Sequence, residues 1–161
     1  MRKHFGYSFA AVAACVVFAA AAASADSSMM TMGSHSAMKT TIVTPATIKW
    51  MAGTGEMKGL MVAVLDGDPN KMGPWTIRIQ VKAGTKFPVH YHNDTERVTI
   101  ISGTFAAALG STYDASKLMD LPAGSYVVIP SGVRHYAAAR TDCVVQLSGT
   151  QPFAMVTDKH M

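Results

Sequence analysis

The sequence predicts an all-β protein with a single folded domain, and three observations carry that expectation. From Ile42 onward the apolar stretches are short, and most are bounded by Gly, Pro, Asp or Ser. One stretch, "WTIRIQV" (75–81), alternates strictly, with Trp75, Ile77, Ile79 and Val81 on one face and Thr76, Arg78 and Gln80 on the other. Helical periodicity is nearly missing; only "DASKLM" (114–119) suggests a helical turn.

The chain has 161 residues, and its first segment reads as a processing signal. Arg2, Lys3 and His4 precede an uncharged, alanine-rich run from Phe5 to Ala23, which ends in Ala23-Ser24-Ala25. A basic start, an apolar stretch and small residues before Asp26 form the plan of a secretory signal peptide over 1–25, cleaved after Ala25. Lipid anchoring at Cys15 is disfavoured, because the residues after it stay apolar where a lipoprotein turns polar. The expected location is the periplasm, with no membrane attachment after cleavage. Residues 26–41, "DSSMMTMGSHSAMKTT", carry no strand or helix period and read as a flexible leader. Their Met and His side chains match no metal motif.

Residues 42–161 remain for the β domain, enough for a real core. The formal charge of +4 owes part of its value to Arg2 and Lys3 in the leader, and nothing in it implies nucleic acid. Cys143 is the one cysteine outside the signal segment, so no intrachain disulfide is expected; before Val144-Val145 it reads as a buried thiol. In chain order the expected strands are "LMVAVL" (60–65), closed by the turn "DGDPN", then 75–81, "RVTIIS" (97–102) and "TFAAAL" (104–109). They continue with "SYVVI" (125–129), "HYAAA" (135–139) and "CVVQLS" (143–148).

The chemistry lies in "GTKFPVHYHNDTERVTIISG" (84–103). On a strand, His90 and His92 project to the same side and Tyr91 to the other. A short turn at Asn93-Asp94 would bring the Glu96 carboxylate back toward them. His135 follows the turn signals Pro130 and Gly132, and if the two β segments are neighbours, three imidazoles and a carboxylate converge. Such donors suit iron, manganese, cobalt, nickel, copper or zinc. An isolated H-x-H pair is equally compatible with surface or core histidines.

The spacing of the whole set resembles the cupins. Gly84, His90, His92, Glu96 and Gly103 fit their first motif without insertion, and Gly124, Pro130, Gly132 and His135 fit their second. The second motif's final Asn is Ala139 here, a position that is no metal ligand in the family. The resemblance implies a double-sheet jelly-roll barrel, with His90, His92, Glu96 and His135 holding one divalent transition metal ion. It also implies a homodimer paired through barrel faces. Fe or Mn is favoured, with Zn, Ni, Co or Cu as alternatives, and no organic cofactor motif is present.

The function implied is metal-dependent chemistry on a small organic substrate, with oxidation favoured over isomerase, decarboxylase or lyase chemistry. The alternative is a metal-dependent small-molecule binding or sensing protein. Arg78 and Gln146 are the further pocket candidates: Arg78 for a substrate carboxylate if its strand face lines the barrel, Gln146 to orient a ligand imidazole, each otherwise facing solvent. Trp50, Trp75 and Phe87 read as core or interface aromatics, and Tyr91 and Tyr136 alternate away from the ligands.

Overall fold

The computed structural model describes residues 40–157. The expected signal peptide, and the leader through residue 39, lie outside the described residues. Residues 40–50 form no strand, and pairing begins at β1 (Met51–Ala52), followed by β2 (Met61–Asp66) and β3 (Trp75–Val81). Next come β4 (Lys86–Tyr91), β5 (Glu96–Ser102), β6 (Thr104–Leu109) and β7 (Met119–Pro122). The series ends with β8 (Tyr126–Ile129), β9 (His135–Ala139), β10 (Cys143–Gly149) and β11 (Val156–Thr157).

All pairings are antiparallel. One sheet has the order β1-β2-β3-β10-β5-β8 and the other β11-β4-β9-β6-β7. The two inner faces close on each other as a jelly roll. Ile77, Ile79, Val98, Val145 and Leu147 of the first sheet meet Phe105, Ala137 and Ala139 of the second. Each large apolar side chain removed from water there contributes ~1.5–3 kcal/mol. The strict alternation of 75–81 is what builds this layer, since its odd-numbered residues are all buried. Cys143 is buried beside them, as expected of a structural thiol.

The helical turn suggested at 114–119 is present as a short 3-10 turn, Ala115–Lys117, while β7, which begins at Met119, is not among the expected strands. That strand carries Asp120 and Pro122, poor strand formers that an edge position tolerates. On the outer side of the second sheet, Tyr136 is fully buried with Ala106, Leu118 and Ala138, and its hydroxyl donates to the Asp114 carbonyl at 3.0 Å. Tyr136 thus alternates away from the histidines. Gly103 has φ +76°, and a Cβ there would lie 2.2 Å from the Asp142 carbonyl, so the tight β5–β6 connection admits only glycine.

Candidate metal centre

Strand pairing puts His90 of β4 directly opposite His135 of β9. His92 lies just past the end of β4, and Glu96 opens β5 in the facing sheet. The turn before β9 is stitched to the first histidine segment: Gly132 N–H donates to the His92 carbonyl at 2.9 Å, and Ser131 Oγ to the Asn93 carbonyl at 2.9 Å. The two sequence segments therefore form one site, with residues from both sheets.

Each imidazole is oriented by a backbone carbonyl. His90 Nδ1 lies 2.7 Å from Pro88 O, His92 Nδ1 2.7 Å from Ala154 O, and His135 Nδ1 3.0 Å from Val133 O. A carbonyl can only accept, so each Nδ1 carries the proton and each Nε2 keeps a lone pair. The ligand atoms of the three histidines lie within 4.8 Å of one another. Glu96 Oε2 approaches His92 Nε2 at 3.4 Å and His135 Nε2 at 3.6 Å.

Burial makes this arrangement costly without a cation. All three histidines are buried, and His92 Nε2 has no hydrogen-bond partner. Desolvation lowers the His90 pKa to about 4, opposed by the hydrogen bond to Pro88 and reinforced by the neighbouring imidazoles. The same first cause lowers His92 and His135. Glu96 is pushed up to about 7, chiefly by burial, against the attraction of His135. Neutral imidazoles with converging lone pairs, one of them unpartnered, beside a buried carboxylate are the donor set a divalent transition metal takes. The residues fit the ion.

The side chains of the three histidines and Glu96 open onto a cavity of about 60 Å³. Its other walls are apolar, among them Phe87, Phe105, Leu121 and Phe153, with one exception, Glu56. Glu56 sits on a 3-10 turn, Gly55–Met57, and accepts the Met155 N–H. Sequence reasoning missed Glu56, Phe153 and Met155, because "GTGEMKG" and "QPFAM" carry no period that aims a side chain. Phe87, expected as a core or interface aromatic, packs edge-on against Phe105 and also walls the cavity.

Arg78 and Gln146 stand elsewhere, which decides both open alternatives, pocket or solvent face, against the pocket. They pair across β3 and β10, Arg78 Nε donating to Gln146 Oε1 at 3.0 Å, and neither lines the cavity. Period-two alternation is the reason: their neighbours Ile77, Ile79, Val145 and Leu147 take the inner face.

Residues 38–154 match the family model of the ChrR cupin-like domain. No curated protein matches the chain in sequence. Among solved structures, the polyketide cyclase RemF from Streptomyces resistomycificus superposes with a TM-score of 0.59 at 14% identity, covering 76% of this chain and 88% of that one. An RmlC-like cupin from Ralstonia eutropha gives 0.58 at 20% identity, covering 76% of each chain. A candidate acetylacetone dioxygenase from Methylibium petroleiphilum gives 0.58 at 19%, covering 75% and 83%. At these identities the likeness is one of fold.

Proposed function

The chain belongs to the ChrR cupin-like family, and from that premise we propose that it is a mononuclear metal-dependent enzyme oxidising a small organic substrate. The observation that carries the proposal is the set of three Nδ1-anchored imidazoles whose Nε2 lone pairs converge beside Glu96 at the end of an apolar cavity. His90, His92, Glu96 and His135 would hold the ion. Bound there, iron or manganese supplies Lewis acidity and redox chemistry, which zinc supplies only in part.

The protein's own contribution is orientation and dryness. The carbonyls of Pro88, Ala154 and Val133 fix the tautomer and aim of each ring. The apolar walls keep water from competing with a substrate. Oxidation is favoured by the histidine-rich donor set, and the dioxygenase-like neighbour is consistent with it at the level of fold. Export to the periplasm by residues 1–25 and pairing as a homodimer complete the proposal.

Metal analysis of natively purified protein, beside His90→Ala and His135→Ala, tests the site. Near-stoichiometric metal in the wild type alone is expected, and equal low metal in all three sinks the reading. Oxygen uptake with small alcohols, ketones, phenols and hydroxy acids then tests oxidation. Tight ligand binding without turnover would instead make the protein a binder or sensor.

A further inference from the structure

Apart from the four ligands, the cavity offers a single polar side chain, and it is acidic. We infer that Glu56 sets the substrate class of this site: a compact, uncharged molecule bearing one hydrogen-bond donor, with anions turned away. The inference rests on the metal-site reading above.

Position is the first argument. A surface groove of about 400 Å³ lies outside the cavity, and Glu56, Met57 and Phe153 form part of both walls. Glu56 therefore stands where the groove and the cavity adjoin. The turn that carries it is tied down, because Glu56 Oε2 accepts the Met155 N–H from the chain's C-terminal segment. A carboxylate has roughly four acceptor positions, and Met155 uses one. Capacity remains for a donor on an incoming molecule.

Charge is the second. With a divalent ion in place, three neutral imidazoles and Glu96 leave one positive charge, which the carboxylate of Glu56, exposed at the rim, balances. Among the described residues no Lys or Arg lines the cavity. An anionic substrate would bring an uncompensated charge into apolar walls, which is heavily penalised. An uncharged molecule leaves the balance intact, and its donor finds Glu56. Size is the third: about 60 Å³ is well under the roughly 150 Å³ of a cavity that accepts benzene, so the molecule is smaller than an aromatic ring unless the Glu56–Phe153 wall yields.

The test loads the protein with Co(II) and follows its visible absorption during titration with hydroxyacetone and with glycolate, which have equal heavy-atom counts and differ in charge. Wild type is expected to bind hydroxyacetone ~10-fold or more tightly than glycolate. Glu56→Gln keeps the shape and an acceptor oxygen but removes the charge, so glycolate should tighten ~10-fold while hydroxyacetone changes little. Glu56→Ala should weaken hydroxyacetone. Wild type that takes glycolate as readily as hydroxyacetone overturns the inference, as does a ratio that Glu56→Gln leaves unmoved. Cobalt that fails to load overturns the metal reading itself and the inference with it, and the absorption spectrum tells the two failures apart.

Discussion

Asp94 and Glu96 are carboxylates two residues apart, and the structure treats them in opposite ways. Asp94 accepts the backbone N–H groups of Thr95, Thr150 and Gln151, with the Thr150 hydroxyl nearby. Desolvation pushes its pKa up, but those hydrogen bonds together outweigh it and leave the group below the usual range. Glu96 is buried against two imidazole edges, and burial raises it to about 7. The fold thus spends donors on one acid, which clamps the loop after β10, and withholds them from the other. A buried acid short of hydrogen-bond donors, with its pKa raised by burial, marks a candidate functional site.

The comparison breaks first if Glu96 is dispensable. Glu96→Gln should weaken metal binding by ~100-fold or more, beyond what loss of an outer-sphere contact usually costs, as measured by competition with a chelator. The metal-free variant should be no less stable than wild type, since a buried carboxylate has been neutralised. A variant that binds metal normally would make Glu96 a bystander, like Asp94.

Asp94→Ala should show the complementary effect. It leaves three backbone N–H groups without their charged acceptor, and charge-assisted hydrogen bonds run at about 1.5–3 kcal/mol each, though not additively. A loss of ~2–3 kcal/mol in urea denaturation is expected, with metal stoichiometry retained. Gly149 adjoins this clamp so closely that a Cβ would lie 2.5 Å from the Trp75 ring and 2.8 Å from Asp94 Oδ2. Metal loss in Asp94→Ala without loss of stability would reverse the assignment of the two acids.

Protons give a finer test. In metal-free protein the Glu96 pKa is raised from 4.5 to about 7, so its contribution to stability is complete below 4.5 and is lost as pH rises through about 7. His90 acts in the other direction: its pKa falls from 6.5 to about 4, so its contribution is present above 6.5 and is lost as pH drops through 4. A metal held by Glu96 needs that carboxylate ionised, so if Glu96 is a ligand the apparent affinity should drop ~10-fold between pH 8 and pH 6. In Glu96→Gln that slope should flatten. Calorimetric titration at the two pH values measures it, and equal slopes in both proteins would remove Glu96 from the coordination.

How much of this was legible in the sequence follows from how each residue's direction is fixed. Strands β3, β6 and β9 match the expected runs to the residue, because alternation and flanking turn formers leave little freedom. The clustering of the histidines was legible for a related reason: His90 on β4 and His92 just past its end are two apart on extended chain, which means one face, and the glycine and proline spacings fix the turns. Glu56 and Phe153 were not, since they reach the cavity from irregular segments whose path is set by long-range contacts such as Glu56 with Met155 and Phe153 N–H with the Pro69 carbonyl. Arg78 and Gln146 lie on regular strands, yet alternation alone does not say which face is the inside. Ile77 and Val145 decide that only once the two sheets are closed.

Arg78 and Gln146 also supply the mildest test, because they are a partnered polar pair like Asp94 but half-exposed on an outer sheet face. Arg78→Ala removes one side-chain hydrogen bond and leaves a Gln146 amide that water can reach. The cost should stay under ~1 kcal/mol in urea denaturation. Metal content and the preference for hydroxyacetone over glycolate should both be unchanged, since the residue lies outside the cavity wall. If Arg78→Ala instead tightens or abolishes glycolate binding, then Arg78 reads the substrate's charge despite its place on the outer face. The neutrality argued for the cavity would then have to include a cation from beyond its walls.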